Sequence, residues 1–319
     1  MVESRKQHWG AENWPCGSCR YPEVCSSQGF VTSYPHSPSA AVDSNQGIGV
    51  RGEFELIARL ASRLPTPLRP GGVGIGDDCA ALPMPQGGVQ LLTCDIAMAG
   101  RHFMPGLTPM AAVGWRVASA SASDVAACGG LPETALISLG VPRDAADADL
   151  EALYDGIAEA ARHYGFDVMG GNVTGAETLL IDLFMLGHSE RFVPRSGARH
   201  GELIAVSGPT GQEEAGREAL AAGEALTHPL VQRHLRPLAR TDLAPRIAVD
   251  AGACIDISDG LGSELGHLAR ASGVRLNVES TLLPVTPALQ AWADAHGKSA
   301  QDWVLGGGEG YQLLFTLPP

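Results

Sequence analysis

Lysine is nearly absent from this chain of 319 residues: only Lys6 and Lys298 occur, and the formal net charge is −13. A basic face of the kind that follows a nucleic-acid backbone is therefore not expected. Aromatic residues make up 5% of the chain. No run of about 18 apolar residues occurs, so no membrane-spanning helix is expected. The N-terminus has no apolar signal-peptide core. Seven cysteines, an odd number scattered through apolar segments, do not form a disulfide framework and read as reduced thiols. The expectation is a cytoplasmic protein that binds neither nucleic acid nor membrane. What the chain does have is 45% hydrophobic residues and 40 glycines. That suits two globular domains rich in turns and close backbone approaches.

Residues 1–51 differ from the rest. They carry Trp9, Trp14, Pro15, Pro22, Pro35 and Pro38 without a sustained apolar period, and read as a disordered N-terminal extension. Cys16-Gly-Ser-Cys19 with Cys25 could seed a metal knuckle only if a fourth ligand came from elsewhere in the chain. From Gly52, apolar spacing predicts a helix ending at Pro65, a strand at 91–95, a helix at 109–128 and a strand at 134–141. A helix at 149–164, closed by Gly165, and a strand at 179–186 follow. After the turn-rich 194–201 come a strand at 203–207, a helix at 212–222, a strand at 254–257 and a helix at 260–271. A strand at 274–278, a helix at 287–295 and a strand at 313–316 complete the order. The strands are not separated by one helix each, which favours α+β layering of mixed sheets over a doubly wound parallel sheet. The boundaries expected are 52–198 for an N-terminal domain and 199–319 for a C-terminal α/β domain.

Short acid-bearing or glycine-bearing signatures recur in order: Gly74-Ile-Gly-Asp-Asp78, Thr93-Cys-Asp95, Ser121-Ala-Ser-Asp124, Gly170-Gly-Asn172, Ser207-Gly-Pro-Thr-Gly211, Asp256-Ile-Ser-Asp259 and Gly307-Gly-Glu309. Repeated Asp at strand ends and turns suits hard cations, and hard cations suit polyphosphate. Each signature also has a plainer reading. Asp77-Asp78 and Asp95 fit turn or cap chemistry, and Asp256 or Asp259 fits an N-cap of helix 260–271. His102 fits a structural histidine and Arg195 a surface turn. Asp124 is harder to place so, because it sits late in an apolar helix, where the negative helix end disfavours it. Gly297-Lys-Ser299 ends like a P-loop, but Trp292 stands where the first glycine belongs. Phosphate charge must therefore meet metal and arginine.

The order of Gly52-Glu-Phe-Glu-Leu-Ile-Ala-Arg, Gly74-Ile-Gly-Asp-Asp-Cys-Ala, Asp124-Val-Ala-Ala-Cys-Gly, Arg195-Ser-Gly-Ala-Arg, Ile255-Asp-Ile-Ser-Asp-Gly-Leu and Tyr311-Gln-Leu-Leu-Phe-Thr resembles the thiamine-monophosphate kinase family. That family sits within the aminoimidazole ribonucleotide synthetase-like superfamily. The resemblance implies a two-domain fold whose N-terminal sheet pairs with a second copy in a homodimer. It implies transfer of the γ-phosphoryl of ATP to thiamine monophosphate. By position, Asp78, Thr93, Cys94, Asp95, Asp124, Asn172, Asp256 and Asp259 would hold Mg²⁺. Gly171, Asn172, Arg195 and Ser258 would meet ATP, and His102 and Glu309 the thiamine phosphate. No side chain is implied as a catalytic base.

The chain departs from the family pattern at several places. Gly170-Gly-Asn172-Val173-Thr174-Gly175 stands for Gly-Gly-Asp-Thr-Thr-Arg, Gln212 for an Asp, Ser121 for an Asn and Ile96 for a Thr. Gly310 and Gln312 stand for acids in Gly-Gly-Glu-Asp-Tyr-Glu. The chain also stops at Pro319, where a C-terminal truncation relative to the family is expected. Two alternatives stay open: a paralogue with another small-molecule acceptor, and a non-catalytic nucleotide-binding homologue.

Overall fold

A computed structural model describes residues 24–25, 53–64 and 70–319. The expected extension at 1–51, apart from Val24–Cys25, and its Cys16–Cys19 pair lie outside these residues, as does Pro65. The chain runs β1 (Val24–Cys25), α1 (Glu53–Ala61), β2 (Ala80–Pro83), β3 (Val89–Met98), α2 (Met110–Ala127), β4 (Leu131–Val141) and α3 (Asp147–Tyr164). It continues through β5 (Asp167–Gly175), β6 (Leu180–Ser189), β7 (Leu203–Val206), α4 (Gln212–Ala221), α5 (Pro229–Leu235) and α6 (Ala244–Asp250). It closes with β8 (Cys254–Asp256), α7 (Leu261–Ser272), α8 (Pro287–His296), α9 (Ala300–Gly306) and β9 (Leu313–Leu317).

The first half builds a five-stranded mixed sheet in the order β2-β3-β6-β4-β5. All neighbours are antiparallel except β4 and β5. Period-two alternation decides its two faces. Leu91, Ile137, Leu183 and Met185 point inward onto Val117, Ala118, Ala122 and Val125 of α2 and are fully or almost fully buried. α2 then packs on α3, and the small residues explain how closely. A Cβ at Gly114 would overlap the carbonyl of Leu153, and one at Gly156 the carbonyl of Ala111. Among the described residues no helix covers the outer face, where Ile96 and Leu136 are exposed.

The second half contributes β7, β9 and β8 to the antiparallel sheet β1-β7-β9-β8, whose edge strand β1 comes from the N-terminal end, with Ile255, Leu314, Leu268, Leu289 and Trp303 in its core. The first sheet, mixed and with α2 on one face, has the layering the sequence predicts; the second differs, being wholly antiparallel with α6 on the face opposite α7. One predicted strand is absent, because 274–278 is irregular. Val274 and Leu276 do pack on the second core, but no strand edge pairs with their backbone, and the Val274 amide caps α7 on Ala269.

α2 lies between the halves. Its Trp115 indole donates to the Pro237 carbonyl at 2.7 Å, and its Ser123 reaches Asp256 of β8. Whatever forms at the C-terminal end of α2 therefore draws on both halves.

Candidate active site

Asp77 and Asp78 lie in the turn before β2, where Gly76 takes φ 126. Asp77 accepts the Asp78 amide at 3.0 Å, which is turn chemistry, and also the Arg195 amide at 3.1 Å. Asp78 does more. Its buried carboxylate takes the Arg195 guanidinium through both oxygens, at 3.1 Å from Nε and 2.5 Å from Nη2. Arg195 is therefore not a surface turn residue, since its side chain is 19% exposed and pinned to the acid.

Thr93 and Asp95 project from the inner face of β3 toward α2. Thr93 donates its hydroxyl to Asp124 at 2.5 Å. Asp256, at the end of β8, accepts from Ser123 at 2.8 Å. One oxygen from each of Asp78, Asp124 and Asp256 lies within 4.8 Å of the others. Asp95 Oδ2 is buried with no donor among the described residues.

Five acids here, Asp77, Asp78, Asp95, Asp124 and Asp256, gather about one arginine. Burial first, then the neighbouring carboxylates, push Asp124 and Asp256 well above the ordinary carboxylate range. Burial raises Asp95 to about 6, aided by Asp182 and Asp78 and partly offset by the Ser121 hydroxyl. Such packing is unfavourable for a chain left to itself. The donors are all hard oxygens, one is orphaned, and the like charges converge. That set fits a divalent cation of the Mg²⁺ type.

Ser258 and Asp259 stand exposed just before α7. Neither caps that helix by its side chain, contrary to the capping reading: the N-cap is Gly260, and Glu264 folds back to accept the Asp259 amide at 3.1 Å. The cluster does not gather every expected residue. Cys94 points to the outer face, opposite Thr93 and Asp95, because neighbours on a strand alternate. Asn172 pairs with Ser138, which pairs with Asp182, and so lies on that outer face too. Gly171 shares the inner face with Ile137, Leu183 and Asp95, but three strand spacings, about 14 Å, separate it from Asp95.

A second group adjoins the first. Arg116, buried in α2, donates to Glu309 at 2.6 Å. Glu309 and Tyr311 take φ 58 and 51, a left-handed backbone unusual for residues with side chains. Half-buried His102 accepts the Met98 amide at 3.1 Å, and burial lowers its basicity despite the attraction of Glu309. Gln312 accepts from Ser207 at 2.8 Å and from Arg240 at 3.4 Å, so its amide is tied into the frame. Buried Glu213 sits at the start of α4 with Oε2 unpartnered among the described residues.

Sequence reasoning missed Arg116, Ser123, Glu213 and Arg240. Arg116 had a signal: it and Asp124 are the only charged residues of α2. Glu213 had none, because an acid in a first helical turn is ordinary.

Comparison with known proteins bears on this geometry. Residues 76–189 match the family described as AIR synthase related protein, N-terminal domain. The thiamine-monophosphate kinase of Aquifex aeolicus is 41% identical over 271 residues, covering 84% of this chain and 86% of that protein. The Escherichia coli K12 enzyme of the same name is 34% identical over 273 residues, covering 84% and 83%. A solved structure described as AaThiL complexed with AMPPCP and TMP aligns with a TM-score of 0.78 at 41% identity, covering 84% of this chain and 85% of that one.

Proposed function

This chain belongs to the thiamine-monophosphate kinase family, and from that premise we propose that in the cytoplasm it transfers the γ-phosphoryl group of ATP to thiamine monophosphate, giving thiamine diphosphate. The observation that carries this reading is the convergence of Asp78, Asp124 and Asp256 within 4.8 Å, beside an orphaned Asp95, in a chain similar to a protein complexed with AMPPCP and TMP.

Asp78, Asp95, Asp124 and Asp256, with Thr93 between them and Asp259 at the rim, would hold Mg²⁺. Bound there, the metal would neutralise phosphate charge as it shifts during transfer. Arg195 orients Asp78 by its two-point grip and supplies positive charge at the cluster. Ser258 and Asp259, exposed where α7 opens, would meet the triphosphate. Cys94, Gly171 and Asn172 are not part of the proposed metal set. On the acceptor side we assign His102 and Glu309, the latter held by Arg116. A phosphate monoester oxygen is already nucleophilic at neutral pH, so these residues need only position it and exclude water.

We assign the exposed outer face of the first sheet, with β5, to a second copy of the chain. The support is Ile96, Leu136, Met169 and Val173, exposed by 49%, 42%, 69% and 66%.

The test is incubation of the purified chain with ATP, Mg²⁺ and thiamine monophosphate. Thiamine diphosphate appearing with one ADP per product is the expected result. ATP turnover with no thiamine diphosphate would transfer the assignment to another acceptor. No turnover at all would leave a binding protein.

A further inference from the structure

Each of the three converging acids has a donor that fixes it. Arg195 grips Asp78, Thr93 donates to Asp124, and Ser123 donates to Asp256 at 2.8 Å. Arg195 and Thr93 already have places in the proposed function, and Ser123 has none. Its side chain is fully buried and the Asp256 it meets is 3% exposed, so solvent does not weaken that contact.

Three serines of α2 are fully buried, and they use their protons differently. Ser119 meets the Tyr164 hydroxyl at 2.9 Å and donates to the Pro237 carbonyl at 3.3 Å. Ser121 donates to the Leu183 carbonyl at 3.0 Å. Those contacts seat the helix. A serine within a helix can also return its proton to the carbonyl one turn back. Ser123 instead donates to a carboxylate, and that carboxylate ends a strand of the other sheet.

A carboxylate turns easily about its last torsion, whose wells are broad. The bond from Ser123 to Oδ2 stops that rotation. One oxygen of Asp256 is thereby kept within 4.8 Å of oxygens from Asp78 and Asp124. Converging carboxylates repel one another, so an untied Asp256 would turn away from the other two. The halves do not depend on this bond to stay together. Trp115 on Pro237 and Arg116 on Glu309 hold α2 to the second half independently. What the Ser123 hydroxyl governs is the direction of one carboxylate.

We propose that Ser123 is a positioning residue of the metal cluster: by fixing Asp256 across the seam between the halves, it sets how tightly Asp78, Asp124 and Asp256 hold a divalent cation. This rests on the kinase reading above, which assigns Mg²⁺ to these acids. Two adjacent residues of α2 then have separate duties, Asp124 supplying a ligand and Ser123 aiming another.

The experiment uses the full chain as wild type, Ser123→Ala, Ser119→Ala, Asp256→Asn and the double variant Ser123→Ala with Asp256→Asn. Mn²⁺ binding without nucleotide is read by electron paramagnetic resonance, and thermal midpoints are taken with chelator and with Mg²⁺. Ser119→Ala controls for loss of a buried hydroxyl on the same helix, since its partners are a hydroxyl and a carbonyl. Ser123→Ala should bind Mn²⁺ more weakly by on the order of 10- to 100-fold, the scale for partners that orient a metal ligand. Its midpoint should rise less than the wild type's when Mg²⁺ is added. Ser119→Ala should bind Mn²⁺ as the wild type does, whatever its midpoint. In the Asp256→Asn background, Ser123→Ala should cause no further weakening, because the hydroxyl acts through that carboxylate. Wild-type Mn²⁺ affinity in Ser123→Ala, an equal loss in Ser119→Ala, a full further loss in the double variant, or a Ser123→Ala chain that does not fold would each overturn the inference while leaving the kinase reading intact. A wild-type chain that binds no Mn²⁺ would overturn the metal assignment and this inference together.

Discussion

Asp124 occupies the last turn of an 18-residue helix, near the negative helix end and among Asp78, Asp95 and Asp256. Its ionised form is opposed by burial and by three like charges, and a single hydroxyl, Thr93, favours it. Without metal, Asp124→Asn should stabilise the chain. Relief of about 1 kcal/mol, or roughly 1–2 °C for a chain of this size, is expected in a thermal melt with chelator present. A drop in midpoint would make Asp124 a structural residue instead. At this scale the sequence carried the aspartates well, because an acid inside an apolar run has few innocent explanations. It failed where neighbours on a strand were grouped together. Thr93, Cys94 and Asp95 are consecutive, but their side chains alternate, so Cys94 faces away. It also missed buried Glu213, which only the fold brings beside Gly310, 97 residues later.

Among the elements, long periodic segments were legible and short ones were not. The predicted helix at 109–128 is α2 at Met110–Ala127, and that at 149–164 is α3 at Asp147–Tyr164. The short helices Pro229–Leu235, Ala244–Asp250 and Ala300–Gly306 span only seven residues each, too few for a clear period. β5 was invisible for a different reason. All nine of its residues are exposed, so no burial alternation is imposed on Asp167–Gly175. A glycine-bearing edge strand bare on both faces is an open template for pairing, and with Ile96 and Leu136 beside it the sheet needs a cover. Sedimentation should find the chain dimeric at micromolar concentration, and Met169→Glu with Val173→Glu should shift it to monomer. A wild-type monomer under those conditions would remove the sheet face from the account.

On the scale of the whole molecule, one helix joins two sheets and the acids of both. Asp78, Asp95 and Asp124 come from the first half and Asp256 from the second, with Arg116 reaching across to Glu309. The net charge of −13 agrees with a protein that meets anions through a borrowed cation rather than a basic surface. Motif order pointed to the aspartates that the fold brings together, Asp78, Asp124 and Asp256. The joining of halves through α2 was not readable, because its Gly, Ala and Ser allow close contact without naming the contacting partner. The central claim is that the buried carboxylates are completed by a divalent cation that brings nucleotide with it. It is tested most directly by calorimetric titration of the wild-type chain and Asp124→Asn with ATP, once with Mg²⁺ and once with chelator. Binding by the wild type with Mg²⁺, at least tenfold weaker with chelator and lost in Asp124→Asn, is the expected result. Equal ATP affinity with and without Mg²⁺ would contradict it.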